Sequence, residues 1–325
     1  MLFRSRAELV ELLGEAGAHA LARGPEAGLL EETRNWLAQP GCRLIGLGDP
    51  DYPALWKQIA VPPCAFYARG RNELLNSNCV AIVGSRNATP RGLSDARDFA
   101  RALSDAGVVI VSGMALGIDA AAHEGALAGA ASTVSVVGTG PDRVYPRQHG
   151  DLARAIAERG CIVSEFALRT PPLERNFPRR NRLISGLALA VLVVEAAKRS
   201  GSLGTARAAV EQNREVMAIP GSIHSPLSKG CHWLIKEGAK LVDCVEDVLQ
   251  EVGLQAPPER EAMPPQQDEV LDAMGFAPVT PEHIAQRTGL DAATLAARLS
   301  CLEIEGTIQP LAGGWFQRAE GRVIE

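Results

Sequence analysis

From residue 79 onward the chain repeats one pattern, and that pattern limits the fold more than any other feature. Short Val/Ile-rich runs recur as CVAIVG (79–84), VVIVSG (108–113), VSVVG (134–138), CIVSE (161–165), VLVVE (191–195) and EVMAIPG (215–221). Alanine-rich stretches of helical length separate most of them, at 93–106, 117–129 and 203–213. Continuously apolar strands alternating with helices predict βαβ units whose parallel sheet is covered on both faces. Right-handed crossovers then give an α/β, doubly wound, Rossmann-like layer architecture.

The flanks read differently. Leu9, Leu12, Leu13, Ala16 and Ala20 form one apolar stripe at helical spacing, and a second short helix is expected over 30–38. Residues 1–75 are therefore read as a small helical N-terminal region plus a connector, and 76–254 as the Rossmann-like core. Residues 255–267 hold four prolines and no apolar period, an exposed linker. Beyond it, 268–325 predicts three helices and a two-stranded wing turning at Gly313-Gly314, a winged helix.

No signal-peptide core opens the chain, and its longest apolar run, 187–194, is far short of the roughly 20 residues that span a bilayer. Seven cysteines without a C-x-x-C pair fit buried thiols in a reducing compartment, so a cytoplasmic protein without disulfide framework or metal site is expected. A net charge of −5 gives no global basic footprint, so charge has to be read locally.

In an open parallel sheet, ligands bind outside the carboxyl ends of the strands, near the point where strand order reverses. The chemistry-bearing residues fall at those ends: Gly84, Ser85 and Arg86; Gly113 and Gly117; and Ser200, Gly201, Ser202, Gly204 and Thr205 opening a helix. Glycine permits sharp turns and close backbone approach, and free amides at a helix start attract phosphate. The densest charge is RTPPLERNFPRRNR (169–182), with Arg169, Arg175, Arg179, Arg180 and Arg182 against Glu174 alone. Arginine matches phosphate geometry, and Phe177 among the arginines suits either a stacked base or an anchor for the loop. Asp119 and His123, four apart, share a helix face: either an acid–base pair, or a helix-start carboxylate to which the histidine hydrogen-bonds. Glu195 could meet a ribose or a nearby arginine.

Known catalytic signatures are missing. The chain has no G-x-x-x-x-G-K-[ST] loop, no complete dinucleotide fingerprint after Gly138, no H-E-x-x-H and no G-x-S-x-G elbow. A non-catalytic protein without cofactor is the leading expectation.

Taken in order, AIVGSRNAT (81–89), VSGMALGIDAAAHEGAL (111–127), VYPRQH (144–149), the 164–187 and 191–221 segments and SKGCHWLIKEGA (228–239) resemble the DprA/Smf family of DNA-processing proteins over about half the chain. The resemblance implies an extended Rossmann fold that binds and protects single-stranded DNA, forms homodimers and helps to load the RecA recombinase in natural transformation. It further implies that Arg86 contacts a phosphate. Asn176, Arg180, Asn181 and Arg182 would face the DNA pocket, with Phe177 beside a base. The backbone at Gly113, Gly117 and Ser200–Ser202 would line the same pocket. Glu174-Arg175 departs from the basic residue that some relatives carry before the NFP motif, and the N-terminal region is short for the family.

Two other readings compete. GSLGTARAAVE (201–211) faintly resembles the glycine-rich motif of Rossmann nucleotide hydrolases, but Ala206-Arg207 stand where those enzymes place a catalytic acid. The winged helix could read duplex DNA as a transcription regulator. Yet residues 266–325 hold nine acidic side chains against four arginines and no lysine, whereas phosphate affinity needs cations. This module is expected to contact protein or regulate the core.

Overall fold

A computed structural model describes residues 6–24, 26–254, 268–275, 277–311 and 313–318. The expected linker, 255–267, lies outside the described residues. The chain divides into two compact units, Met1–Pro257 and Pro258–Glu325.

The larger unit opens with α1 (Arg6–Arg23), α2 (Ala27–Leu37), β1 (Cys42–Gly46) and β2 (Ala65–Gly70). The alternating core follows: β3 (Cys79–Val83), α3 (Pro90–Asp105), β4 (Val109–Ser112), α4 (Ile118–Ala128), β5 (Thr133–Val136), α5 (Gly150–Arg159) and β6 (Cys161–Ser164). Then come α6 (Asn176–Leu187), β7 (Ala190–Val193), α7 (Ser202–Glu211), β8 (Glu215–Ala218), α8 (Lys229–Lys236), β9 (Lys240–Leu241) and α9 (Val245–Glu251). Each of the six Val/Ile-rich runs contains one strand of β3 to β8. Nearly every residue of these strands is buried, as a sheet covered on both faces requires.

The nine strands run in the order β1-β2-β6-β5-β4-β3-β7-β8-β9. From β6 to β9 all neighbours are parallel. The chain winds outward from β3 to β6, then crosses back to β7 on the other side of β3. The order thus reverses between β3 and β7, and a crevice must open beyond their carboxyl ends.

The two helices expected at the start are present as α1 and α2, but the segment read as a connector holds two strands. β1 and β2 extend the sheet, with β2 antiparallel to both β1 and β6. Trp56 is fully buried, packs edge-on against Phe66 at 4.8 Å and donates its indole N–H to the Leu183 carbonyl of α6 at 2.9 Å. Aromatic packing between sheet and helix, which no local pattern announces, ties this segment to the core.

The smaller unit has α10 (Glu269–Met274), α11 (Pro281–Thr288), α12 (Ala292–Ile304), β10 (Ile308–Leu311) and β11 (Trp315–Arg318). The two strands pair antiparallel, and Gly313 and Gly314 at their turn both take positive φ. Ile284, Leu295, Leu299 and Leu302 form its own core. All seven cysteines are free; Cys42, Cys79, Cys161 and Cys231 are buried as expected, but Cys64 and Cys301 are exposed.

Candidate nucleic-acid interface

At the reversal point the strand-tip loops enclose an open trough of about 1360 Å³. Gly84, Ser85 and Arg86 enter from the end of β3, and Ser200, Gly201, Ser202 and Thr205 from the start of α7. Phe177, Arg180 and Asn181 enter from α6.

Arg180 is the floor. It is only 4% exposed, and its Nη1 donates to the Gly113 carbonyl at the tip of β4, at 2.7 Å, and to the Val136 carbonyl at the tip of β5. Beneath it, the buried Asp119 carboxylate accepts the amides of Gly113 (3.2 Å) and Ala115 (3.3 Å). Burial dominates both groups: it pulls Arg180 down to about 10 despite attraction to Asp119, and holds Asp119 above the usual carboxylate range despite Arg180 and the two amides. Arg180 is still a cation at neutral pH.

The wall is more exposed. The Arg86 guanidinium stands over the Phe177 ring, 5.8 Å from its centroid, and the Tyr145 ring lies 5.7 Å from that of Phe177. A cation and two aromatic faces thus meet at one point of the trough. Lys198, Arg199 and Arg207 also line it. Among the described residues none of these three makes an ion pair or side-chain hydrogen bond. The lining carries five cationic side chains against two carboxylates, Asp119 and Glu174, on a protein of net charge −5. The sequence reading overlooked Lys198, Arg199, Arg207 and Tyr145. The Lys198-Arg199 dipeptide directly before Ser200 was the available signal.

Six expected site residues do not line the trough. Gly113 and Gly117 build it from behind. A Cβ on Gly113 would lie 2.1 Å from the Arg180 Nη1; one on Gly117 would lie 2.2 Å from the Ser85 carbonyl, and Gly117 has φ +77°. Asn176 is buried and donates to the Gly138 carbonyl at 3.1 Å, which clamps the start of α6 onto the loop after β5. Arg182 is held by the Glu165 carboxylate and the Val61 carbonyl, and Arg179 lies over the Phe166 ring. Arg175 is exposed outside the trough. Arg169 pairs with Glu32 of α2. Successive helical residues point about 100° apart, so arginines dense in sequence diverge in space.

Asp119 and His123 do not pair. The Thr133 hydroxyl donates to the Ile110 carbonyl (2.6 Å), so His123 Nδ1 carries the proton that it shares with Thr133 Oγ1 at 2.7 Å. Full burial pushes the imidazole down to about 3 and keeps it neutral. Glu195 accepts the Thr89 amide (2.9 Å) and hydroxyl (2.7 Å) at the start of α3, and among the described residues it pairs with no arginine.

Known proteins agree with this architecture. The family described as DNA recombination-mediator protein A matches residues 43–253, and the DprA winged helix domain matches 255–314. Protein Smf of Escherichia coli is 42% identical over 301 residues, 89% of this chain and 80% of its own length. The DNA processing protein DprA of Streptococcus pneumoniae is 44% identical over 203 residues, 62% of this chain and 72% of its own. A solved structure of that protein superposes with a TM-score of 0.67 at 36% identity, covering 76% of this chain and 90% of that one. DNA processing protein A of Helicobacter pylori, solved for its single-stranded DNA binding mode, superposes with a TM-score of 0.59 at 30% identity, covering 64% of this chain and 94% of that one. Among the described residues no helix is long and apolar enough to cross a membrane. The family match over most of the larger unit, joined to a family-specific winged helix, makes this chain a member of the DprA/Smf family of DNA-processing proteins.

Proposed function

We propose that this protein binds and protects single-stranded DNA in the trough at the β3–β7 reversal, without catalysing a reaction. The carrying observation is that unpaired cations and a tilted pair of aromatic rings share one trough on an acidic protein. Unpaired bases can stack on Phe177 and Tyr145, and Arg86, Lys198 and Arg199 can neutralise the phosphates between them. At the start of α7 the amides of Ser200, Ser202, Leu203 and Gly204 donate within the loop, so what it can offer a phosphate is the Gly201 amide and the Ser200 and Ser202 hydroxyls, which bond each other at 2.7 Å and can turn outward. With Asp119 committed to loop amides and His123 buried and neutral, neither is placed to move a proton at the trough surface. By family kinship we further infer a cytoplasmic homodimer that helps to load RecA in natural transformation.

The test is a salt titration with an oligothymidylate. Each phosphate neutralised contributes roughly −0.7 to the log–log slope on single strands. Arg86→Ala should flatten the slope by about that amount and weaken binding roughly tenfold or more. Phe177→Ala should weaken binding by about 1–3 kcal/mol with little change in slope. An unaltered slope in Arg86→Ala would remove the trough from the explanation.

The winged helix is read as a protein-contact or regulatory module. Arg298 of α12, where a recognition helix would need its cations, is held by Asp268 and reaches Glu305 at 3.6 Å. Arg287 donates to the Ala273 carbonyl, and Arg318 stands 4.0 Å from Asp272. Deleting residues 258–325 should therefore leave duplex affinity unchanged within about twofold, as measured by fluorescence anisotropy; a drop of tenfold or more would overturn this reading.

A further inference from the structure

Two of the four tryptophans are exposed: Trp315 on β11 of the smaller unit, and Trp233, which lines the trough of the larger one. Trp36 and Trp56 are buried in aromatic pairs. Trp233, on α8, is 43% exposed, and among the described residues it has no ring partner and no side-chain hydrogen bond. Its indole forms part of the wall of the same trough, in the company of Lys198, Arg199 and Arg207. Rigid packing fixes the helix that carries it: the Gly230 amide donates to the Ala196 carbonyl at 2.7 Å, and Cys231 is fully buried against the end of β7.

A large apolar ring left open to water beside unpaired cations has the makeup of a stacking platform for a base whose phosphates meet those cations. We propose that Trp233 is a second base-stacking platform, at the end of the trough opposite Phe177. This rests on the single-stranded DNA reading and extends it to a footprint. Phe177 lies against Gly138 beyond the tip of β5, and α8 packs on the end of β7. Between those strands stand β4 and β3, so the two ends are three strand spacings apart, ~14 Å. At roughly 3.4 Å per stacked nucleotide, the track between the platforms holds about four nucleotides. Arg86 and Arg180 lie along it at the tips between, and the α7 start follows at β7.

The experiment measures binding of dT3 and dT8 by the full chain, with tryptophan fluorescence and solution mass recorded together. In the wild type dT8 should bind far more tightly than dT3 and quench the fluorescence. Trp233→Ala should weaken dT8 by roughly tenfold, with the salt slope and the solution mass unchanged, and dT3 affected less. Trp233→Phe should keep most of the dT8 affinity while losing most of the quenching. Unchanged dT8 affinity in Trp233→Ala overturns the proposal. So does a loss of affinity that comes with a change in mass, which would make Trp233 a subunit contact. A wild-type protein that binds neither oligonucleotide would sink the trough reading itself, and the platform with it.

Discussion

Arg180→Ala should lower the unfolding free energy by about 3–5 kcal/mol, because it leaves a buried carboxylate without its compensating cation. The Gly113 and Val136 carbonyls would lose their donor, and Asp119 would remain buried on amides alone. Loss of DNA affinity in this variant would therefore mix a missing charge with a disturbed floor. The second variant separates the two. Adding Asp119→Asn removes the stranded charge while an amide oxygen can still accept from Gly113 and Ala115, so Arg180→Ala/Asp119→Asn should regain about 1–3 kcal/mol. Urea unfolding of the three proteins checks this. If the double variant is no more stable than Arg180→Ala, burial of the carboxylate is not what Arg180 offsets.

Gly117→Ala should be nearly as damaging, by about 2–4 kcal/mol, for a steric reason. The backbone there has φ +77°, and the new methyl would sit 2.2 Å from the Ser85 carbonyl and 2.7 Å from that of Arg86. Either α4 or the Ser85-Arg86 loop must move. The same carbonyl of Ser85 accepts the Ile118 amide at 3.1 Å, so relief in either direction breaks the start of α4. Gly201→Ala is the control: its backbone is helical and nothing lies within 4 Å of the new methyl, so stability should stay within about 0.5 kcal/mol. Thermal unfolding of both variants decides. A Gly117→Ala protein as stable as Gly201→Ala would show that the loop yields freely.

The central sheet was legible because six continuous Val/Ile runs admit little else, and the winged helix because of its helix spacing and paired glycines. β1 and β2 escaped notice: CRLIG and AFYARG each carry an arginine, their apolar runs are short, and they sit among prolines and turn residues. Their membership in the sheet depends on Trp56 and Phe66 packing against α6, a contact across more than a hundred residues of sequence. For the trough, Gly84-Ser85-Arg86 and Ser200-Gly201-Ser202 could be placed because strand tips face the crevice in this architecture. The arginines of 169–182 could not, since sequence density carries no direction. Arg180 turns inward, Arg182 toward Glu165 and Arg179 over Phe166.

The guanidinium flooring the trough reaches back to carbonyls 67 and 44 residues earlier in the chain. Its partners sit on neighbouring parallel strands that exist as neighbours only once their crossover helices have docked. A half-assembled sheet therefore has no weakened version of this floor, and a recognition loop moved to another scaffold would leave its anchor behind. Strand order and the floor of the trough stand or fall together in this chain.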